Sequence, residues 1–135
     1  MIYDCIIAGG GPAGLSAAVY AARAKLNAVV LERNTIKGGQ ILRTEQIENY
    51  LGFPGILGYE IAEKFLEHSE KFGAAFETGK ICEVYNEKGI INVVTRKKEY
   101  LAKSLIIATG ATFRLLNVEG EGRFSGKGVS YCATC

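Results

Sequence analysis

No run in this chain approaches the ~18 apolar residues that a membrane-crossing helix needs, so a membrane partner is not expected. A basic stretch ahead of an apolar one is also missing at the start, where Met1-Ile2-Tyr3-Asp4-Cys5 stands instead, so no secretory leader is expected. An excess of charge of one sign is absent: 16 Lys and Arg face 14 Asp and Glu, a net charge of +2. The only basic run, Arg96-Lys97-Lys98, has the length of a solvated turn and not of a nucleic-acid footprint. Histidine is nearly absent. The single one, His68, falls on the polar side of a helical pattern, and no cysteine pair has a second ligand pair beside it, so no metal centre is expected.

What is present is ordinary for a globular chain of about one domain: 135 residues, 48% apolar and 22% charged. Four cysteines in a chain without a leader favour a reducing compartment, the cytoplasm by default, where a close pair is catalytic more often than structural. Cys5 and Cys82 lie in separate hydrophobic runs and read as core cysteines.

Periodicity and punctuation give the outline. Residues 2–8 form an aliphatic run ending in glycines, the pattern of a buried parallel strand. Residues 13–25 are alanine-rich and predict a helix, with Pro12 acceptable in its first turn. Residues 27–32 predict a second strand, completing a βαβ unit. Residues 34–58 have little periodicity, five glycines and Pro54, and a stretch of that kind inside a compact domain is usually functional. Helical spacing returns over 59–72, with Ile61, Ala62, Phe65, Leu66, Ser69 and Phe72 on one face and Gly73 as the stop. Short strand-like runs follow at 75–77, 81–85, 90–95 and 99–101, the later ones separated by turn residues as in an antiparallel meander. A last buried-type strand spans 104–108. From Phe113 the chain becomes polar and glycine-rich, as a linker into a second domain would be.

Two motifs carry chemistry. Gly9, Gly11 and Gly14 form a G-x-G-x-x-G turn that directly follows a strand and opens a helix, and the next strand ends in an acid, Glu32. In a dinucleotide site Gly9 makes the tight turn, Gly11 lets the backbone approach a pyrophosphate, and Gly14 lets helix and strand pack closely. The helix start would hold the diphosphate, and Glu32 would accept hydrogen bonds from ribose hydroxyls. Arg33 beside it could invite a phosphorylated ribose, and acid plus arginine leaves that choice open. The second motif is Cys132-Ala133-Thr134-Cys135. It reads as a redox dithiol, in which one thiolate attacks a partner's disulfide and the second resolves the mixed disulfide. A thioredoxin fold is disfavoured, because its pair lies early in the chain and precedes a helix.

Taken with Gly38-Gly39-Gln40, Glu48-Asn49-Tyr50 and Ile107-Ala108-Thr109-Gly110-Ala111, these motifs resemble, in order and spacing along the whole chain, the low-molecular-weight (bacterial-type) thioredoxin reductases up to their redox pair. The resemblance implies a three-layer, Rossmann-like α/β FAD-binding domain with a parallel sheet and an antiparallel β-meander, incomplete because the second domain is missing. Residues 1–112 would be the first segment of that domain. Residues 113–135 would be the crossover linker and the start of the pyridine-nucleotide domain, carrying Cys132 and Cys135 as catalytic residues. Gly11, Pro12 and Ala13 would contact the diphosphate of FAD and Glu32 the ribose. Gly38, Gly39, Gln40 and Asn49 would lie towards the flavin end, and Thr109 and Gly110 would border the cofactor.

The implied activity passes electrons from NADPH through FAD to the Cys132–Cys135 disulfide and on to thioredoxin or a similar small disulfide protein, in a homodimer whose domains rotate. A ferredoxin-dependent or peroxidase-serving relative is the alternative within the enzyme class, and a truncated, non-catalytic FAD-binding fragment the alternative outside it. The lack of a cysteine pair within residues 34–58 argues against the glutathione reductase and lipoamide dehydrogenase branch. The second domain's nucleotide motif and the later return segment are not in the chain. Alone it is therefore expected to hold FAD weakly, to lack the NADPH site, and to leave apolar surface exposed along 104–108.

Overall fold

A computed structural model describes residues 1–132. Its frame is a four-stranded parallel sheet in the order β10-β2-β3-β6, built from β2 (Cys5–Ala8), β3 (Ala28–Glu32), β6 (Ala75–Thr78) and β10 (Leu105–Ile107). Helices α1 (Pro12–Arg23) and α2 (Gly58–Lys71) lie against each other, with α1 resting on one face of the sheet. A second sheet covers the other face in the order β1-β9-β8-β7, from β1 (Ile2–Tyr3), β7 (Ile81–Glu87), β8 (Ile90–Thr95) and β9 (Glu99–Ala102). The three-layer α/β expectation holds.

The side-chain alternation of the strands explains both cores. Ile6, Val29 and Leu31 point into one cluster with Val93, Tyr100 and Ala102 of the second sheet. Their neighbours Cys5, Ile7 and Val30 point the other way, into a cluster with Ala18 and Ala21 of α1. Burial on both faces is why β2 and β3 are aliphatic throughout. Each fully buried Ile or Val contributes about 1.5–3 kcal/mol relative to its exposed state.

Several expected boundaries change. Residues 2–8 are two strands: β1 pairs with β9 in one sheet and β2 with β3 and β10 in the other. The break is at Asp4, whose carboxylate accepts the Asn27 amide (3.0 Å) and meets Lys103 Nζ (2.7 Å). Helix α1 ends at Arg23 because Lys25 takes a left-handed φ of 56°, an uncommon conformation for a residue with a Cβ. Residues 75–78 join the parallel sheet, so the antiparallel meander is β7-β8-β9 alone. Within 34–58 there is more regularity than expected: a 3₁₀ turn at Gly39–Arg43 and a small antiparallel pair, β4 (Gln46–Ile47) with β5 (Ile56–Leu57). Phe72, placed on the core face of α2 by its spacing, is exposed. Cys5 is buried as expected, but Cys82 is exposed, on the solvent side of a bulge in β7. Among the described residues strand β10 pairs on one side only, and Ile107 is 74% exposed, the apolar surface anticipated for 104–108.

Candidate functional site

The C-terminal ends of β2, β3 and β10 open into one cleft of about 1080 Å³. Strand β2 has β3 on one side and β10 on the other, so the cleft lies at the switch point where open α/β sheets take their ligands. Gly9, Gly11, Pro12 and Ala13 line its floor; Glu32 and Arg33, Gly39 and Gln40, and Thr109 and Gly110 line its walls.

The three motif glycines are needed for different reasons. Gly9 has φ +109°, and a Cβ there would sit 2.3 Å from the Ala108 carbonyl oxygen. A Cβ on Gly14 would sit 1.8 Å from the Gly9 oxygen, so helix α1 could not rest so close to the sheet. Gly11 is the exception. Among the described residues a Cβ there would meet only Gly39 Cα, at an ordinary 3.7 Å, and none of them forbids a side chain. What that side chain would occupy is the cleft at the helix start. Gly11 is also the N-cap of α1, with no side-chain hydrogen bond to the helix start and no acid in the first turn. The free amides and the positive end of the helix dipole therefore face an anion's place unopposed. These features fit a diphosphate of the FAD type.

Glu32 is buried, with both carboxylate oxygens engaged: one accepts the Gly10 amide at 2.7 Å, the other the Asn34 amide at 2.9 Å. Each oxygen keeps a further lone pair with which a ribose hydroxyl could bond. Gln40 donates its side-chain amide to the Ala111 carbonyl and so links the 3₁₀ turn to the loop after β10. Gly38 and Asn49 lie outside the cleft lining. Gly38 is buried, its amide donating to the Gly10 carbonyl at 2.8 Å, and a Cβ there would come within 2.7 Å of Ala62 Cβ of α2. Gly14 likewise supports the cleft from beneath. Asn49 is exposed.

Asn34, Ile36 and Arg43 line the cleft too, though sequence reasoning did not single them out. Arg43 had no signal beyond its place in an irregular segment. Arg33 and Arg43 are exposed, and among the described residues neither is ion-paired. A smaller cavity of about 320 Å³ between α1 and α2 is lined by Tyr50, Phe65, His68 and Phe72, and Pro12 is the one predicted site residue it shares.

Cys132 is half-buried and disulfide-bonded, with its amide donating to Ser130 Oγ at 3.2 Å. It does not line the cleft. Cys135, the other predicted redox residue, lies outside the described residues.

The chain belongs to the pyridine nucleotide-disulphide oxidoreductase family, which it matches over residues 3–135. It is 50% identical to a thioredoxin reductase of Bacillus subtilis over 99% of its own length and 42% of that protein's. Among solved structures it is similar to Lactococcus lactis thioredoxin reductase in its FR conformation, at 41% identity and a TM-score of 0.87, covering 98% of this chain and 44% of that one. It is also similar to a ferredoxin-flavin thioredoxin reductase of Clostridium acetobutylicum, at 37% identity and a TM-score of 0.79, covering 100% and 46%. The chain thus spans about 42% of the length of the curated relatives it matches. Among the described residues no helix is long and apolar enough to cross a membrane.

Proposed function

We propose that this chain is the cofactor-binding lobe of a thioredoxin reductase-like flavoprotein, an enzyme that moves two electrons from NADPH to the disulfide of thioredoxin or a similar small protein. Residues 1–112 form the FAD-binding segment; residues 113–135 lead into a pyridine-nucleotide domain and carry the Cys132–Cys135 pair. The NADPH site belongs to the longer protein, which works as a cytoplasmic homodimer.

The observation that carries this reading is Gly11, a glycine whose missing side chain serves the cleft and not the fold. Gly11, Pro12 and Ala13 would hold the diphosphate at the start of α1, Glu32 the adenosine ribose, and Gly39, Thr109 and Gly110 the walls towards the flavin. FAD, when bound, would supply two-electron exchange between a nicotinamide and a disulfide. The chain's own contribution is to bind it with bare amides, keep the turn rigid through Glu32, and present Cys132 on a separate segment.

The similarity to a ferredoxin-flavin enzyme favours a second reading, in which the electron donor is reduced ferredoxin. Protein expressed from the full reading frame decides between them. It should retain FAD and reduce a thioredoxin disulfide with NADPH, and lose that activity, but not the flavin, as Cys132→Ser. Turnover with ferredoxin alone would establish the second reading, and a folded protein that never retains flavin would overturn both.

A further inference from the structure

Residues 113–132, read from sequence as a polar linker, are a small folded arm. Its centre is α3 (Glu121–Phe124), a single helical turn. Around it the Val129 amide donates to the Phe124 carbonyl (3.0 Å) and the Gly126 amide to the Val129 carbonyl (3.0 Å). The side chain of Glu121 turns back and is buried, its carboxylate accepting the Leu116 amide at 2.9 Å and the Asn117 amide at 2.7 Å. The Leu116 amide is shared with the Tyr131 hydroxyl at 3.3 Å, and the Tyr131 ring stacks on Phe113 with centroids 5.7 Å apart. Among the described residues, the hydrogen bonds of 113–131 all stay inside the arm.

The Glu121 carboxylate therefore holds the entry of the arm against its central turn, and the Leu116 amide and the Phe113 ring link that entry to Tyr131 at the exit. Two backbone amides converge on this one carboxyl group, and among the described residues no other side chain holds the Leu116–Asn117 backbone except the Tyr131 hydroxyl itself. Tyr131 is joined directly to Cys132. We propose that Glu121 is a positioning residue for the Cys132 redox centre: by holding the Leu116 and Asn117 amides it fixes Tyr131, and through Tyr131 the orientation of the sulfur that follows. The inference rests on reading Cys132 and Cys135 as the redox pair. Thiol–disulfide exchange depends on access to the sulfur and on its thiolate character, so an arm without its carboxylate staple should change the chemistry of the pair as well as its stability.

The test uses the full-length protein and its Glu121→Ala, Glu121→Gln and Glu119→Gln variants; Glu119 is an exposed carboxylate of the same arm and serves as the charge control. Two readouts are taken: the equilibrium of the disulfide with a glutathione buffer, and the pH profile of iodoacetamide alkylation at Cys132 in the reduced protein. Glu121→Ala should move the disulfide equilibrium by about fivefold or more and displace the alkylation midpoint, Glu121→Gln by less, and Glu119→Gln by less than about twofold. Should Glu121→Ala fail to fold, Glu121→Gln, which keeps one acceptor oxygen, decides alone. A reducible disulfide whose equilibrium and alkylation profile are the same in wild type and the Glu121 variants overturns the positioning role. A wild-type protein without a reducible Cys132 disulfide overturns instead the redox reading on which it rests.

Discussion

The carboxylate of Glu32 accepts the backbone amide of Gly10 at 2.7 Å, across 22 residues of sequence. The last residue of β3 thereby holds the turn that follows β2, and the floor of the cleft is shaped before any ligand arrives. Gly10 is buried, so its amide has no water to fall back on.

Glu32→Ala should therefore destabilise the fold by about 1–3 kcal/mol, the cost of leaving a buried donor without an acceptor. Glu32→Gln keeps one acceptor oxygen and should fall between the variant and wild type. Urea denaturation midpoints check the order, and equal midpoints for all three proteins would contradict the turn-holding role.

The glycines of the turn should separate fold from binding. Gly14→Ala places a Cβ 1.8 Å from a backbone oxygen, and a clash with backbone that cannot rotate away should cost about 3 kcal/mol or more. Gly11→Ala meets nothing closer than 3.7 Å among the described residues and should cost no more than about 1 kcal/mol, the scale of an N-cap change. Its effect should appear instead in flavin affinity, measured by titrating the full-length protein with FAD. Unchanged FAD affinity in Gly11→Ala would remove the main support for the diphosphate site.

The second sheet carries a pH signature. The Tyr100 hydroxyl donates to Glu77 at 2.7 Å, and Lys98 Nζ reaches the same carboxylate at 2.8 Å. Burial, and then the bond to Glu77, push the Tyr100 phenol from 10.0 up to about 12. A folded-state value raised above the unfolded one means that the neutral phenol's contribution is fully present below pH 10 and is lost as pH rises through about 12. Glu77 behaves oppositely. Lys98 and then Tyr100 hold it below its ordinary value, so its contribution is present at neutral pH and is lost as pH falls through the folded-state value. Phenolate absorbance followed against pH should show a late-titrating tyrosine that disappears in Tyr100→Phe. A profile unchanged by that substitution would rule the assignment out.

What the sequence disclosed was what local pattern controls. The βαβ unit, the glycine turn and Glu32 at the strand end depend on residues near one another in the chain, and all were legible. Residues 75–78 have the same strand-like composition whichever sheet they enter; pairing with β3 is settled by residues more than 40 positions away. The buried role of Gly38 came from its contact with Ala62 on α2, which no spacing rule announces. The arm at 113–132 was hidden for another reason. Its order comes from one side chain, Glu121, folding back onto two amides, and composition alone reads such glycine-rich segments as flexible. Arg43 reached the cleft only because the 3₁₀ turn carried it there.

Asp4, finally, makes a hinge pin out of a sequence boundary. The backbone passes through it from the edge of one sheet into the middle of the other, and its carboxylate clasps Asn27 on one side and Lys103 on the other. Neither sheet can slip by one register without dragging its neighbour. One residue thus joins the two layers, and the cleft at the far end of β2 stands on a strand whose start is tied by backbone to the sheet behind it.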